Sequence, residues 1–355
     1  MKVKDSLMKI VKSQMIIPIV ALLLLIIFNL IKDPAFFRIA LSTNTAGNPV
    51  LTGYLITILD YGSELVILAL GMTLVTAATG GQDISVGATI AITGSTLIKC
   101  LCGNNTRPET IMMPIICAFL ISVVVAMLCG AFNGPLVAVF KIPPMVATLI
   151  LYTAGRSIAA WINNNELPIV DDPKFAYFGG IIPGIPVPTT VFIAIACVAV
   201  MLIILKRTNL GLYTQAVGIN EKSARLNGIN PTFIKILSFV ILGLCVAVAA
   251  LIKVSRLQTI NYSVIAKDIE MDAILAVALG GNALSGGKFN LAASILGAYI
   301  IQFLTTTLYK CQVSSDSISA YKAVVVIILV VLSAEPVRAK LNALSKKISS
   351  KAKEA

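Results

Sequence analysis

Hydrophobic positions in this 355-residue chain gather into long apolar blocks, with short polar stretches between them from end to end. A helix needs about 20 apolar residues to cross a bilayer, with a range of about 17–25. Blocks of roughly that kind recur at about 15–31, 62–80, 84–101, 111–131, 144–162, 189–205, 234–252, 271–284, 291–308 and 321–334. The pattern predicts an all-α, polytopic membrane protein of about ten transmembrane helices. The eighth block is short and reads as a half-helix ending inside the protein, since irregular backbone is tolerated in a membrane only where protein or water covers it.

Two of the polar interruptions share a spacing. TGGQDISVG occupies 79–87, and 200 positions later LGGNALSGG occupies 279–287. Both read Gly-Gly-x-x-x-Ser-x-Gly, through Gly80, Gly81, Ser85 and Gly87 and through Gly280, Gly281, Ser285 and Gly287. An apolar helix with small residues follows each copy, so the pair reads as an internal repeat with short broken helices. In the ten-span count both copies run in the same direction; an error of one span would make the repeat inverted. Transporters place such broken helices near the substrate path, while small residues packing helices closely are the plainer explanation. The shared glycines and serine supply backbone freedom and a helix cap. Asp83 stands apart, because the second copy has Ala283 there. It is read either as a stronger N-cap on the third span or as a polar group of the path or gate, and ionisable groups inside a membrane favour function.

Composition supports the membrane assignment. Mean hydropathy is +0.93, and charged residues make up 12% of the chain, about half the soluble norm. Histidine is absent, which removes the usual neutral-pH base and the commonest metal ligand. The seven cysteines include Cys100-x-Cys102, but a metal site needs further ligands nearby; the cysteines read as small apolar filler. With no paired carboxylates either, a membrane-embedded enzyme is disfavoured, and no cofactor is expected.

The net charge of +12 is concentrated. Residues 1–14, 206–235 and 335–355 together hold fifteen basic and four acidic groups. The positive-inside rule makes all three cytoplasmic, giving a cytoplasmic N-terminal segment (1–14), a permease domain (15–334) containing a cytoplasmic loop (206–235), and a basic cytoplasmic tail (335–355). Because this charge flanks spans rather than forming one face, a nucleic-acid partner is disfavoured. The lysines before the first block resemble a signal peptide, but the apolar run exceeds the usual length and no cleavage site follows, so it is expected to stay as the first span. The loop at 163–188, rich in Pro and Gly, falls outside. Arg156, about six residues from the outer end of its span, either snorkels to the outer surface or contacts sugar hydroxyls in an outer vestibule. Glu270 and Asp272 read as interfacial, with gating as the other option.

The cytoplasmic loop contains a short helix, capped by Asn220 and stopped by Gly228. Glu221 and Arg225 are spaced i,i+4 in the favourable order. The helix lacks the apolar stripe of a buried one, so it reads either as a solvated loop or as a docking element for a cytoplasmic subunit.

Four stretches, GMTLVTAATGGQDISVGATIAITG, KIPPMVATLILYTAGRS, TNLGLYTQAVGINEKSARLNGIN and MDAILAVALGGNALSGGKFN, resemble the permease subunits of bacterial ABC importers for ribose, xylose, galactose and related sugars. The likeness runs over about residues 60–335, and IEMDAILAVALGGNALSGGKFNLAASILGAYIIQ resembles the galactofuranose branch in particular. The resemblance implies an inner-membrane permease with three kinds of partner: a separate ATPase subunit, an extracytoplasmic sugar-binding protein and a second permease subunit. It implies that Glu221, Lys222, Ala224, Arg225 and Gly228 couple to the ATPase. Gln82, Met145 and Ile269 depart from the family's usual residues and bear on which sugar is carried. The nearest string to a P-loop, GNALSGGKF, has the wrong spacing, so ATP would be bound by the partner. The rival reading is an ion-coupled secondary carrier, which usually places relay groups mid-membrane; only Asp83 fits that well, and the docking-like loop would then have no purpose.

Overall fold

In the computed structural model, residues 16–43 and 49–333 are described; the expected N-terminal segment 1–14 and basic tail 335–355 lie outside them. Thirteen helices fill the described residues: α1 (Ile16–Lys32), α2 (Tyr54–Thr79), α3 (Val86–Cys102), α4 (Ile115–Ala138), α5 (Pro144–Ile162), α6 (Pro173–Ala176), α7 (Thr189–Arg207), α8 (Leu210–Ile219), α9 (Glu221–Leu226), α10 (Pro231–Leu257), α11 (Ile269–Leu279), α12 (Leu291–Lys310) and α13 (Ser315–Ser333). A small antiparallel hairpin, β1 (Ala40–Thr43) and β2 (Pro49–Thr52), joins α1 to α2, with Leu41 opposite Leu51.

Each of the ten apolar blocks overlaps a helix, and six helices (α2, α4, α5, α7, α10 and α12) are long and apolar enough to cross a membrane. Several helices outrun their blocks, and at two of them the overruns carry charges that pair with each other. α2 starts at Tyr54 rather than 62, and α10 continues to Leu257 rather than 252. The extra turns carry charged residues that satisfy one another, as described below, so apolar patterning could not see them. The short eighth block is α11, whose 11 residues span about 16 Å, too little to cross alone. α11 begins inside the protein: the chain from Gln258 descends without regular structure, and Ile260, Ile265 and Ala266 are buried on the way.

α10 is the central helix, packed on α2, α3 and α4, while α12 lies along α2 and α5 along α3. Contacts fix the directions. Gly62, Thr73 and Ala77 of α2 meet Tyr299, Ser294 and Gly287 in turn, so α2 is antiparallel to α12. Gly297 and Gly280 face Ala276 and Ala293, so α11 is antiparallel to α12 as well. α2 and α11 therefore run the same way, and the helix–break–helix unit is repeated in parallel. The two breaks lie at the end of the bundle carrying α8 and α9, opposite the end carrying the hairpin and α6.

Candidate functional site

The two Gly-Gly loops, far apart in sequence, touch. Gly80 ends α2 in the left-handed conformation (φ +67°), and a Cβ there would sit 2.6 Å from the Ser285 carbonyl oxygen. The Gly287 amide donates to the Ala77 carbonyl at 2.9 Å, and the Gln82 side-chain amide donates to the Leu284 carbonyl at 3.3 Å. A third element closes the junction: the end of α8, where Gly218 lies against the Ala77 carbonyl and the Gly287 amide, too close for any side chain. Only glycine lets three backbones meet this closely. At the start of α3, Gly87 fits against the Glu270 side chain and the Ala266 carbonyl.

Asp83 is buried and bonded locally. Its Oδ1 accepts from the Ser85 amide (2.7 Å) and hydroxyl (2.6 Å). Its Oδ2 accepts from Asn133 Nδ2 at 3.3 Å, and the same Asn133 group donates to Ser85 Oγ. The serine was expected to cap the following helix in both copies, and it caps neither. Ser85 occupies the N-cap position of α3 without a side-chain cap bond, because its hydroxyl is committed to Asp83. Ser285 is exposed, and α12 is capped by Asn290 instead.

Arg156 does not snorkel. Its guanidinium donates to the carbonyls of Tyr262 (2.9 Å) and Ile265 (3.0 Å), holding the irregular segment that leads into α11. Burying carbonyls without donors would cost more than reaching for water. Glu270 and Asp272, expected to be interfacial, are both engaged by the protein. Glu270 is 1% exposed, and both Asp272 oxygens accept from Lys322 of α13 at 2.7 Å.

Sequence reasoning missed a four-residue charge cluster between α2 and α10. Arg256 Nη2 binds Asp60 at 2.8 Å and its Nη1 binds Glu64. Lys253 binds the other Glu64 oxygen at 2.8 Å, Thr190 of α7 donates to Asp60 at 2.6 Å, and Arg256 lies over the Tyr61 ring. The signal existed, since Asp60 and Glu64 are four apart on α2 while Lys253 and Arg256 are three apart on α10, each pair on one helix face. Every charge has a partner, so the cluster staples α2 to α10.

The outer faces of the helices differ. On α4 the large exposed residues are apolar (Ile116, Leu120, Ile121, Val124, Leu128, Phe132), and α7 is similar with Phe192, Ile195, Val200 and Ile203. On α5, Thr153 and Ser157 are exposed beside Tyr152 and Trp161, the latter 78% exposed, and the exposed aliphatic residues Met145, Val146, Leu149, Ile150 and Ile158 share the helix with them. α5's other face, through Ala147, Thr148, Leu151, Gly155 and Ala159, is buried against α3. Thr148 Oγ1 there accepts from the Ile84 amide of the first Gly-Gly loop at 3.1 Å.

At the α8–α9 end, Asn220 caps α9 by accepting from the Ser223 amide, and Gly228 takes φ +79° beyond it. Of the residues assigned to coupling, Lys222, Arg225 and Gly228 are exposed. Ala224 is buried among Leu210, Val217 and Ile234. Glu221 faces the body of the protein: one oxygen takes Lys141 at 2.6 Å and the other Lys235 at 2.7 Å, with Arg225 at 3.9 Å. The two lysines hold its carboxyl down at about 2. Leu226, unnoticed in the sequence, is 89% exposed. Among the described residues no group of three His, Cys, Asp or Glu is placed to hold a metal.

Residues 54–334 match the family described as branched-chain amino acid transport system / permease component. The chain is 35% identical to the galactofuranose transporter permease protein YtfT of Escherichia coli over 318 residues, 89% of each chain. It is 34% identical to the fructose import permease protein FruF of Bifidobacterium longum over 331 residues, 92% of this chain and 89% of the relative. It is 32% identical to a ribose import permease protein RbsC of Haemophilus influenzae over 322 residues, 88% and 90%. No solved structure matches. With most of its length inside the family match and long apolar helices throughout that region, this chain belongs to the transport permease family: it is a multi-pass membrane protein that moves a solute and not an enzyme.

Proposed function

We propose that the chain is the membrane-spanning subunit of an ABC importer for a monosaccharide, galactofuranose or a related pentose or hexose. In this reading it works with a separate ATPase, an extracytoplasmic binding protein and a second permease subunit. The family description mentions amino acids, but the relatives that cover about nine-tenths of the chain are sugar permeases by name, which favours a sugar. A cytoplasmic position for the α8–α9 end and both termini follows from the basic loop. The observation that carries the reading is α9, capped by Asn220, which presents Lys222, Arg225 and the uncovered Leu226 on a surface open to a protein partner. The exposed Ser157, Tyr152 and Trp161 of α5 offer polar and aromatic groups of the kind that line a sugar path, and on this reading that part of α5 faces the second permease copy. Arg156 then braces the outer part of that path, and the touching Gly-Gly loops lie at its inner mouth.

Co-expression with the ATPase and binding-protein genes of the host, followed by purification and reconstitution in vesicles, tests this. ATP-dependent uptake of labelled D-galactose, D-ribose or D-fructose is expected. Uptake driven by an imposed proton or sodium gradient without ATP would overturn it.

A further inference from the structure

α9 is only six residues long, and few contacts tie it to the body of the protein. Ala224 sits in a small local cluster. The other tie is the Glu221 carboxylate, whose two oxygens are shared between two separate elements. Lys235 belongs to the second turn of α10, the central helix. Lys141 lies in the turn between α4 and α5, held at φ +58°, and is followed by Ile142, Pro143 and Pro144, where α5 starts. Proline fixes φ and restricts the residue before it, so this turn is stiff and a displacement of Lys141 passes into α5. α5 in turn holds two further backbones: Thr148 accepts from the Ile84 amide of the first Gly-Gly loop, and Arg156 binds the carbonyls before α11.

We propose that Glu221 is a positioning residue that links movement of α9 to α5 through Lys141, with Lys235 as the fulcrum on α10. This rests on α9 being the ATPase-docking element, as proposed above. An exposed ion pair contributes little to stability, and Lys141 is 55% exposed. The pair's value here is the direction in which it transmits force, not the energy it adds to folding.

The test uses the complete importer in vesicles, supplied with labelled D-galactose, D-ribose and D-fructose together. Glu221→Gln and Lys141→Gln should each co-purify with the ATPase at the native yield, yet lower sugar uptake per ATP hydrolysed by about tenfold, within the span usual for coupled sites. The double variant should be no worse than either single one, since both break one link. Unchanged uptake per ATP in either single variant, or losses that multiply in the double, would overturn the link. So would loss of ATPase co-purification in Glu221→Gln, which would make the carboxylate a mere support of the docking surface. The docking assignment fails separately if Leu226→Glu still co-purifies with the ATPase at full yield.

Discussion

The two Gly-Gly loops have the same spacing and opposite chemistry. In the first, Gly80 carries the left-handed turn and Asp83 gathers Ser85 and Asn133. In the second Gly280 is at φ −62°, and positive φ falls instead on Gly281, Gly286 and Gly287. There the polar anchor is Asn282, one position earlier than Asp83: its Oδ1 accepts from the Asn290 amide at 2.6 Å, and its Nδ2 donates to Ser294 Oγ at 2.8 Å. The next helix begins at Val86 in one copy and only at Leu291 in the other, so the anchor must span a longer loop in the second. What the copies share is glycines at the point where the loops meet; the positions of the left-handed turns and the side chain that closes each loop both differ. Asp83 is thus the first copy's solution to a problem that the second copy solves with a neutral amide.

The largest break in this comparison should come from Gly80→Ala. It adds a Cβ at φ +67°, 2.6 Å from the Ser285 carbonyl oxygen, and both the strain and the clash count. A left-handed non-glycine residue costs about 1–2 kcal/mol before any clash, so thermal unfolding in detergent should shift down markedly. Gly280→Ala meets a clash of the same size, 2.6 Å from the Ala293 carbonyl oxygen, but lacks the positive φ, so it should cost less by the strain alone; an equal shift would remove the distinction drawn here.

A middle-sized effect is expected from the anchors. Asn282→Ala removes the acceptor of the half-buried Asn290 amide and the buried bond to Ser294, at about 1–3 kcal/mol. Asp83→Asn should cost about 1 kcal/mol, because an amide oxygen can still accept both Ser85 bonds, and the Asn133 amide can turn so that its Oδ1, unpartnered now, accepts from the new amide in exchange for its bond to Ser85. Sugar uptake by Asp83→Asn at the native rate is the outcome expected of a loop anchor. A large fall in uptake at unchanged expression would instead return the charge to the path or gate.

The smallest effect belongs to the serines. Ser285→Ala, on an exposed side chain, should change unfolding by less than about 0.5 kcal/mol, whereas Ser85→Ala loses a buried bond to Asp83 and should cost roughly 1 kcal/mol. Equal effects would restore the view that the shared serine does one job in both copies.

The sequence by itself determined whatever depends on neighbours along the chain. Long apolar blocks specify helices because a membrane helix satisfies its own backbone. The glycines mark the breaks, and Asn220 and Gly228 delimit α9, because caps and left-handed turns are local. Only the tertiary structure decided the partners across the bundle. That Arg156 holds carbonyls is invisible in sequence, since every residue offers a carbonyl. Asp60 and Glu64 meet Arg256 from about 190 positions away, and Glu221 finds Lys141 from 80 away. Ala224 faces inward because α9 lies against α8 and α10, which no periodicity in six residues can reveal. Charges and small residues take their roles from what packs opposite them, and that is set by how the helices cross.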